Sequence, residues 1–355
     1  MLSLQTNMGK SISNIVDEAN INALRGLIED AKNIVVTCHV SPDGDAIGSS
    51  LALMHVLEQF NKNAVVVTPD QCPKSILFLP GTDKIIPYSV NKATAENRFQ
   101  SADLIFCLDF NSLYRVDKMK EVLNNTAATK VLIDHHLDPE DFATIIISKP
   151  ELSSTCLLLY YVLMQLGYSN YISKDVATCI YAGMMTDTGN FSYNSSDANL
   201  YKVIADLISR GIEKDVIYNK IYNINNESRL RICGYALYDK MQLFKSHHAA
   251  LILLQKEELA KFQYEKGDTE GLVNVPLSIP GIKYSAFFRE DADYVKISMR
   301  SIGDFPVNKI CEQYFNGGGH KNAAGGEFYG SISEAENLFK SILVENDKYF
   351  KENDI

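Results

Sequence analysis

Asp134-His135-His136 stands directly behind an apolar run, Val131-Leu132-Ile133, so three side chains able to bind metal or move protons follow a short strand-like stretch. Other acidic and histidine groups occupy the same kind of position: His39-x-x-x-Asp43-x-Asp45, Asp109 after Leu104–Leu108, and Asp187 in Thr186-Asp187-Thr188-Gly189. Carboxylates mixed with imidazoles, without thiolates, favour Mn2+ or Mg2+ over a structural zinc. Two such ions need a shared ligand, typically a carboxylate, at a separation of about 3.5–4 Å, and this set is large enough for two. Each piece also has a plainer reading. An aspartate just before a helix is a common N-cap, which explains one of Asp43 and Asp45 but not both together with His39. Asp109 alone reads as a turn residue, and Asp-Thr-Gly at 187–189 is a good turn former.

The elements that must position these groups alternate in type. Asn33–Thr37, Ala64–Thr68, Leu104–Leu108, Lys130–Ile133 and Thr144–Ile147 read as buried strands, with helices predicted at Ala46–Gln59, Ser153–Leu166 and Lys174–Met185. Strand–helix alternation is the mark of an α/β domain with a mainly parallel sheet flanked by helices. The carboxyl edge of such a sheet is where ligands bind. A polar helical stretch follows from Asp197 to about Tyr238, broken at the Asn-rich 222–226. Strands at Ala249–Leu254, Tyr284–Phe288 and Tyr294–Met299, with helices near Pro306–Tyr314 and Ser333–Asn346, then predict a smaller second α/β or α+β unit. The expected organisation is a first domain at 20–200, a helical linker at 201–240 and a second domain at 241–347.

The second domain carries Gly317-Gly318-Gly319-His320-Lys321. Glycines let a backbone approach a ligand closely, and successive N–H groups can form an anion-binding nest; a turn beside a crowded core is the alternative. Arg289 and Arg300 end strand-like stretches there. Arginine suits bidentate phosphate recognition, although a surface ion pair with Glu290 or Asp291 accounts equally for Arg289. His55 and the pair His247-His248, which has no carboxylate beside it in sequence, are discounted as ligands, and no tyrosine is singled out as a base-stacking platform.

Composition narrows the partners. The 355 residues carry a net charge of −10, which argues against a long duplex-DNA footprint but leaves room for a short phosphorylated substrate. No apolar run approaches a membrane span, and the N-terminus lacks the apolar core of a signal peptide. Seven scattered cysteines without a C-x-x-C pair predict a reducing, cytoplasmic setting.

Taken in order, His39…Asp43-x-Asp45, Asp109, Asp134-His135-His136, Thr186-Asp187-Thr188-Gly189 and the Gly317–Gly326 segment make the chain resemble the DHH/DHHA1 phosphoesterases over about residues 20–345. The likeness is strongest to the stand-alone two-domain members that act as oligoribonucleases (on nanoRNA) and pAp phosphatases. The resemblance implies an active-site cleft between the two domains. It implies one Mn2+ on His39, Asp43 and Asp109, and another on Asp45, Asp109, His135 and Asp187, with Asp109 bridging and Mg2+ as the substitute metal. It further implies that Asp134 orients His135 and that His136 faces the reacting phosphate. Arg115, Arg289, Arg300, Gly317, Gly318, Gly319 and His320 are then the substrate-binding set. The activity to expect is hydrolysis of short RNA or linear dinucleotides such as pApA to mononucleotides, with pAp phosphatase activity beside it, in a monomer or homodimer. Cyclic-di-AMP phosphodiesterase, exopolyphosphatase or inorganic pyrophosphatase, and a non-catalytic nucleotide-binding scaffold are the competing readings.

Overall fold

The computed structural model describes residues 15–223 and 226–352, with the side chains of 320, 351 and 352 left out. The chain divides into two compact units between Ile224 and Asn225. In the first, six strands form one sheet: β1 (Asn33–Thr37), β2 (Asn63–Thr68), β3 (Ile86–Pro87), β4 (Leu104–Leu108), β5 (Thr129–Asp134) and β6 (Ile145–Ser148). Their order is β3-β2-β1-β4-β5-β6, and every pairing is parallel. Parallel strands need crossover helices on both faces, which explains apolar runs such as LIFCL. Its alternate residues enter different cores: Leu104, Phe106 and Leu108 pack into one, Ile105 and Cys107 into the other. Burying each such side chain stabilises the fold by about 1.5–3 kcal/mol.

The helices of this unit are α1 (Glu18–Asp30), α2 (Gly44–Gln59), α3 (Lys92–Gln100), α4 (Lys120–Asn125), α5 (Thr155–Gln165), α6 (Lys174–Asp187), α7 (Ala198–Ser209) and α8 (Lys214–Tyr222). α2, α5 and α6 lie on one face, while the opposite core takes up Ala95 and Phe99 of α3 and Leu123 of α4. The 201–240 span is not uniform. Val203 and Leu207 of α7 and Ile217 of α8 belong to the first unit's core. Ile232 of α9 (Glu227–Tyr235) belongs to a core of the second.

The second unit has a mixed sheet of β7 (Met241–Phe244), β8 (Ala249–Leu254), β9 (Tyr284–Glu290), β10 (Val295–Ser301), β11 (Gly318–His320) and β12 (Ala323–Phe328), in the order β11-β12-β10-β9-β8-β7. Only β8 and β9 run parallel. The remaining helices are α10 (Lys256–Lys261), α11 (Val307–Tyr314) and α12 (Ile332–Glu352). α11 and α12 cover one face, burying Ile310, Phe339 and Ile342 against Phe288 and Ile297. α9 and α10 cover part of the other, against Ile252 and Phe287. The glycine segment, read from sequence as a nest or turn, is a β11–β12 hairpin. Glycine has a poor strand propensity, but bulk is what this hairpin excludes: a Cβ on Gly317 would be driven into the Gly325 carbonyl, and one on Gly326 into that of Phe315.

Candidate metal centre

The order of the first sheet reverses between β1 and β4, because the chain builds outward through β2 and β3 on one side and through β5 and β6 on the other. That reversal opens a crevice at the carboxyl ends of β1 and β4. His39, Asp43 and Asp45 follow β1, Asp109 follows β4, and Asp134 ends β5 with His135 and His136 behind it. The topology alone therefore brings seven of the singled-out groups to one edge. Asp187 arrives differently, from the last turn of α6, which packs across α2. Their crossing depends on Gly48 and Gly183: a Cβ on Gly48 would stand 2.5 Å from the Cys179 carbonyl oxygen, and one on Gly183 3.1 Å from the Asp45 Cα.

The side chains fall into two clusters that share one residue. His39 Nε2 lies 3.9 Å from Asp43 Oδ1 and 3.4 Å from Asp109 Oδ2. His135 Nε2 lies 3.6 Å from Asp109 Oδ1, 3.4 Å from Asp187 Oδ2 and 4.0 Å from Asp45 Oδ2. Most of these separations are too long for good hydrogen bonds. They suit donors gathered around a common ion, since two ligands each about 2.0–2.2 Å from a metal stand about 3–3.6 Å apart. Asp109 turns one carboxylate oxygen to each cluster. Its backbone is left-handed, φ 64°, a conformation that aspartate tolerates better than most residues, and its N–H donates to the Ile133 carbonyl at 3.2 Å.

The histidines are oriented from behind. His39 Nδ1–H donates to the Val40 carbonyl at 2.7 Å and His135 Nδ1–H to that of Leu152 at 3.2 Å. Each bond leaves Nε2 as a lone-pair donor towards its cluster. The expectation that Asp134 orients His135 is corrected. Asp134, fully buried, accepts from His136 instead, from Nδ1 at 2.7 Å and from the backbone N–H at 3.1 Å. The physical reason is reach: Asp134 is the last residue of β5, and its carboxylate closes a local turn onto the residue two positions on.

Asp43 satisfies both readings of it. Its Oδ1 accepts from the N–H groups of Asp45 and Ala46 as the N-cap of α2, and the same oxygen faces His39. Asp45 is held by the start of α5, accepting from Thr155 N–H at 2.6 Å and Cys156 N–H at 2.9 Å. The Thr155 hydroxyl donates to Asp109 Oδ1 at 2.9 Å. The sequence alone gives no sign of this role: Thr155 stands at the start of a predicted helix, and the adjacent Ser154 makes the cap, accepting from Leu157 N–H at 3.0 Å.

Burial and the nearby Asp109 charge push Asp45 up to about 7, and burial with Asp43 pushes Asp109 well up from the usual carboxylate range. Burial disfavours a charge on His135, but Asp45, Asp109 and Asp187 around it outweigh that and raise its pKa. Among the described residues no lysine or arginine pairs with these aspartates. Buried carboxylates without a basic partner are costly unless a cation joins them, and an oxygen-and-imidazole donor set fits Mn2+ or Mg2+.

The candidate substrate residues separate into distinct environments. Arg115 is half-buried; its carbonyl accepts from Val40 N–H at 2.7 Å, tying its loop to that of His39, and its guanidinium has no partner among the described residues. In the second unit, Lys296, Ser298, Arg300, Gly317, Gly318 and Gly325 line a cavity of about 610 Å³. Lys296, Ser298 and Arg300 alternate along β10 and so share its face. Arg300 is half-buried and, among the described residues, donates only to backbone carbonyls, that of Met299 at 2.9 Å and, at 3.5 Å, that of Ala324. Burial lowers its pKa. Arg289 is occupied: Asp291 grips it at 2.7 and 2.8 Å and Tyr264 accepts from it, so the ion-pair alternative is realised. Gly318 opens to the cavity. Gly319, at φ 140°, serves chain approach, since a Cβ there would stand 2.6 Å from the Ala323 carbonyl oxygen. His320 contributes its backbone to β11; its side chain lies outside the described residues.

The discounted histidines are engaged elsewhere. His55 Nε2 lies 2.9 Å from the Pro80 carbonyl. His247, for which no carboxylate was visible nearby in sequence, pairs with Asp347 of α12 at 2.7 Å, a partner that only folding supplies. No helix among the described residues is long and apolar enough to cross a membrane.

Comparison with known proteins fits this geometry. Residues 33–184 match the model of the DHH family, N-terminal domain, and residues 249–352 that of the DHHA1 domain. The bifunctional oligoribonuclease and PAP phosphatase NrnA of Bacillus subtilis is 26% identical over 316 residues, covering 87% of this chain and 93% of that protein. The cyclic-di-AMP phosphodiesterase GdpP of the same organism is 27% identical over 93% of this chain but only 50% of its own length. Among solved structures, an exopolyphosphatase-related protein from Bacteroides fragilis superposes with a TM-score of 0.93 at 47% identity, covering 96% of this chain and 99% of that one.

Proposed function

Because the chain belongs to the DHH/DHHA1 phosphoesterases, we propose that it is a two-metal, manganese-dependent phosphodiesterase of short oligonucleotides and linear dinucleotides, releasing mononucleotides and also acting on pAp. The observation that carries this reading is Asp109, with one carboxylate oxygen turned to His39 and the other to His135. One ion would be held by His39, Asp43 and Asp109, the other by Asp45, Asp109, His135 and Asp187. Such ions polarise a phosphate and lower the pKa of bound water towards neutrality. His136, its Nδ1 proton held by Asp134, would present Nε2 to a phosphate oxygen. Arg115 would steady the scissile phosphate. Arg300, with the open Gly318 beside it, would be the second unit's contact for a phosphate of a short oligonucleotide. Few phosphates need cover in such a substrate, which is how a chain of charge −10 handles nucleic-acid fragments.

The near-complete two-way coverage with the B. subtilis oligoribonuclease, against half coverage of the cyclic-di-AMP enzyme, favours the linear substrate. The name of the B. fragilis relative keeps polyphosphate in the test. The deciding experiment offers the Mn2+-loaded protein pAp, pApA, a five-nucleotide RNA, cyclic-di-AMP, pyrophosphate and polyphosphate under one set of conditions. Fastest turnover of pApA or the short RNA is expected; faster turnover of cyclic-di-AMP or polyphosphate would replace the reading.

A further inference from the structure

We propose that Thr155 is a positioning residue that holds Asp109 in the orientation in which it can bridge two ions; the inference rests on the two-ion reading above and deepens it. A carboxylate at the end of an aspartate rotates easily, because its terminal torsion has broad minima. The two oxygens are equivalent, and nothing in the backbone of Asp109 fixes the plane in which they lie. The Thr155 hydroxyl does: it donates at 2.9 Å to Oδ1, the oxygen on the side of His135 at 3.6 Å and His136 at 3.8 Å, which leaves Oδ2 to His39 at 3.4 Å. A carboxylate ionised by metal binding can only accept from the hydroxyl, so with ions bound the bond has one sense.

The same residue reaches the neighbouring ligand, because Thr155 N–H donates to Asp45 Oδ2 at 2.6 Å. One residue thus links the aspartate behind β1 to the aspartate behind β4. Thr155 is fully buried, stands at the first position of α5 rather than in a loop, and is β-branched, which stiffens its χ1. Ser154 cannot substitute, since its own hydroxyl caps the helix. A ligand held by a rigid element through a second hydrogen bond is what precise metal geometry requires.

The test titrates the metal-free full chain with Mn2+ alone, following binding by calorimetry and the spin state by electron paramagnetic resonance. The wild type should take up two ions whose spectra show exchange coupling through a shared carboxylate. Thr155→Val keeps the shape and both backbone donors but removes the hydroxyl. It should bind the second ion about 10–100-fold more weakly and lose the coupled spectrum, and Thr155→Ser should restore both. Thr155→Ala replaces the valine variant should that one not fold. A variant that melts earlier but keeps wild-type uptake and coupling would overturn the proposal, because it reduces Thr155 to a packing residue. A wild type that takes up only one ion would overturn the two-ion reading itself, and this inference with it.

Discussion

The two candidate ligand regions of the molecule are built with opposite faults. At the carboxyl edge of the first sheet, Asp45 and Asp109 are buried with no lysine or arginine pairing with them among the described residues, and burial together with neighbouring aspartates raises their pKa values. On the open face of the second sheet, Arg300 is half-buried with only backbone carbonyls to receive its protons, and its pKa falls. A chain selected for stability alone would pair such groups with each other, since an uncompensated buried charge costs several kcal/mol. Arg289 shows that the second unit can do so, through Asp291. Under the proposed function the contrast has one reading, in which cations complete the first region and an anion completes the second.

The comparison breaks most visibly at Asp109. Asp109→Asn keeps the shape and removes the charge that two ions would share. Turnover of pApA should fall by about 10³-fold, the upper end of the range lost when a transition-state charge stabiliser is removed, and calorimetry should show no more than one Mn2+ bound. Retained turnover would mean that the two donor clusters work independently. Next in size is Arg300→Ala, expected to lower kcat/KM by about 10²-fold, equivalent to about 2.7 kcal/mol. Most of that loss should appear in KM, with Mn2+ uptake unchanged. If Mn2+ binding falls as well, the two regions are not separable and the contrast fails.

How much of this was legible in the sequence follows from how each residue comes to its place. His39, Asp43, Asp45, Asp109 and the Asp134–His136 triplet could be found because each follows an apolar run, and the edge of a parallel sheet gathers whatever follows its strands. Asp187 was legible only as part of a pattern, since helix crossing rather than sheet topology delivers it. Thr155 carries no signal of its own, since a threonine at a helix start is ordinary capping chemistry, and in the structure its neighbour Ser154 makes that cap. The orienting role of Asp134 was assigned to the adjacent histidine because both lie within reach in sequence, and only the turn geometry decides between them. β11 and β12 escaped because glycines carry no strand signal. Arg289 and Arg300 look alike in sequence and differ through one aspartate two residues from the first.

A smaller effect probes the delivery of Asp187. Gly48→Ala places a methyl against the Cys179 backbone, where no flexible side chain can yield, so α6 must shift from α2. Overpacking of this kind costs about 1–3 kcal/mol and should appear as a lower denaturation midpoint in urea. The shift should weaken the cluster holding Asp187 while sparing the one holding His39. Stepwise Mn2+ titration should therefore show one affinity reduced and the other intact. Equal loss at both would indicate that α2, which carries Asp45 and is capped by Asp43, moves as a whole.

The smallest expected effect is at Arg289, and it is the sharpest control on the contrast. Its guanidinium is held bidentately by Asp291 and capped by Tyr264, so Arg289→Ala removes an internal pair rather than a substrate contact. Partly exposed pairs contribute at most about 1 kcal/mol, and the midpoint should fall by no more than that corresponds to. The kcat/KM for pApA should stay within about twofold of wild type, against the hundredfold loss at Arg300. A tenfold loss at Arg289 would mean that Asp291 releases it when substrate binds. The second sheet would then offer two arginines to the anion, and the rule that only unpaired charges mark the ligand sites would no longer hold.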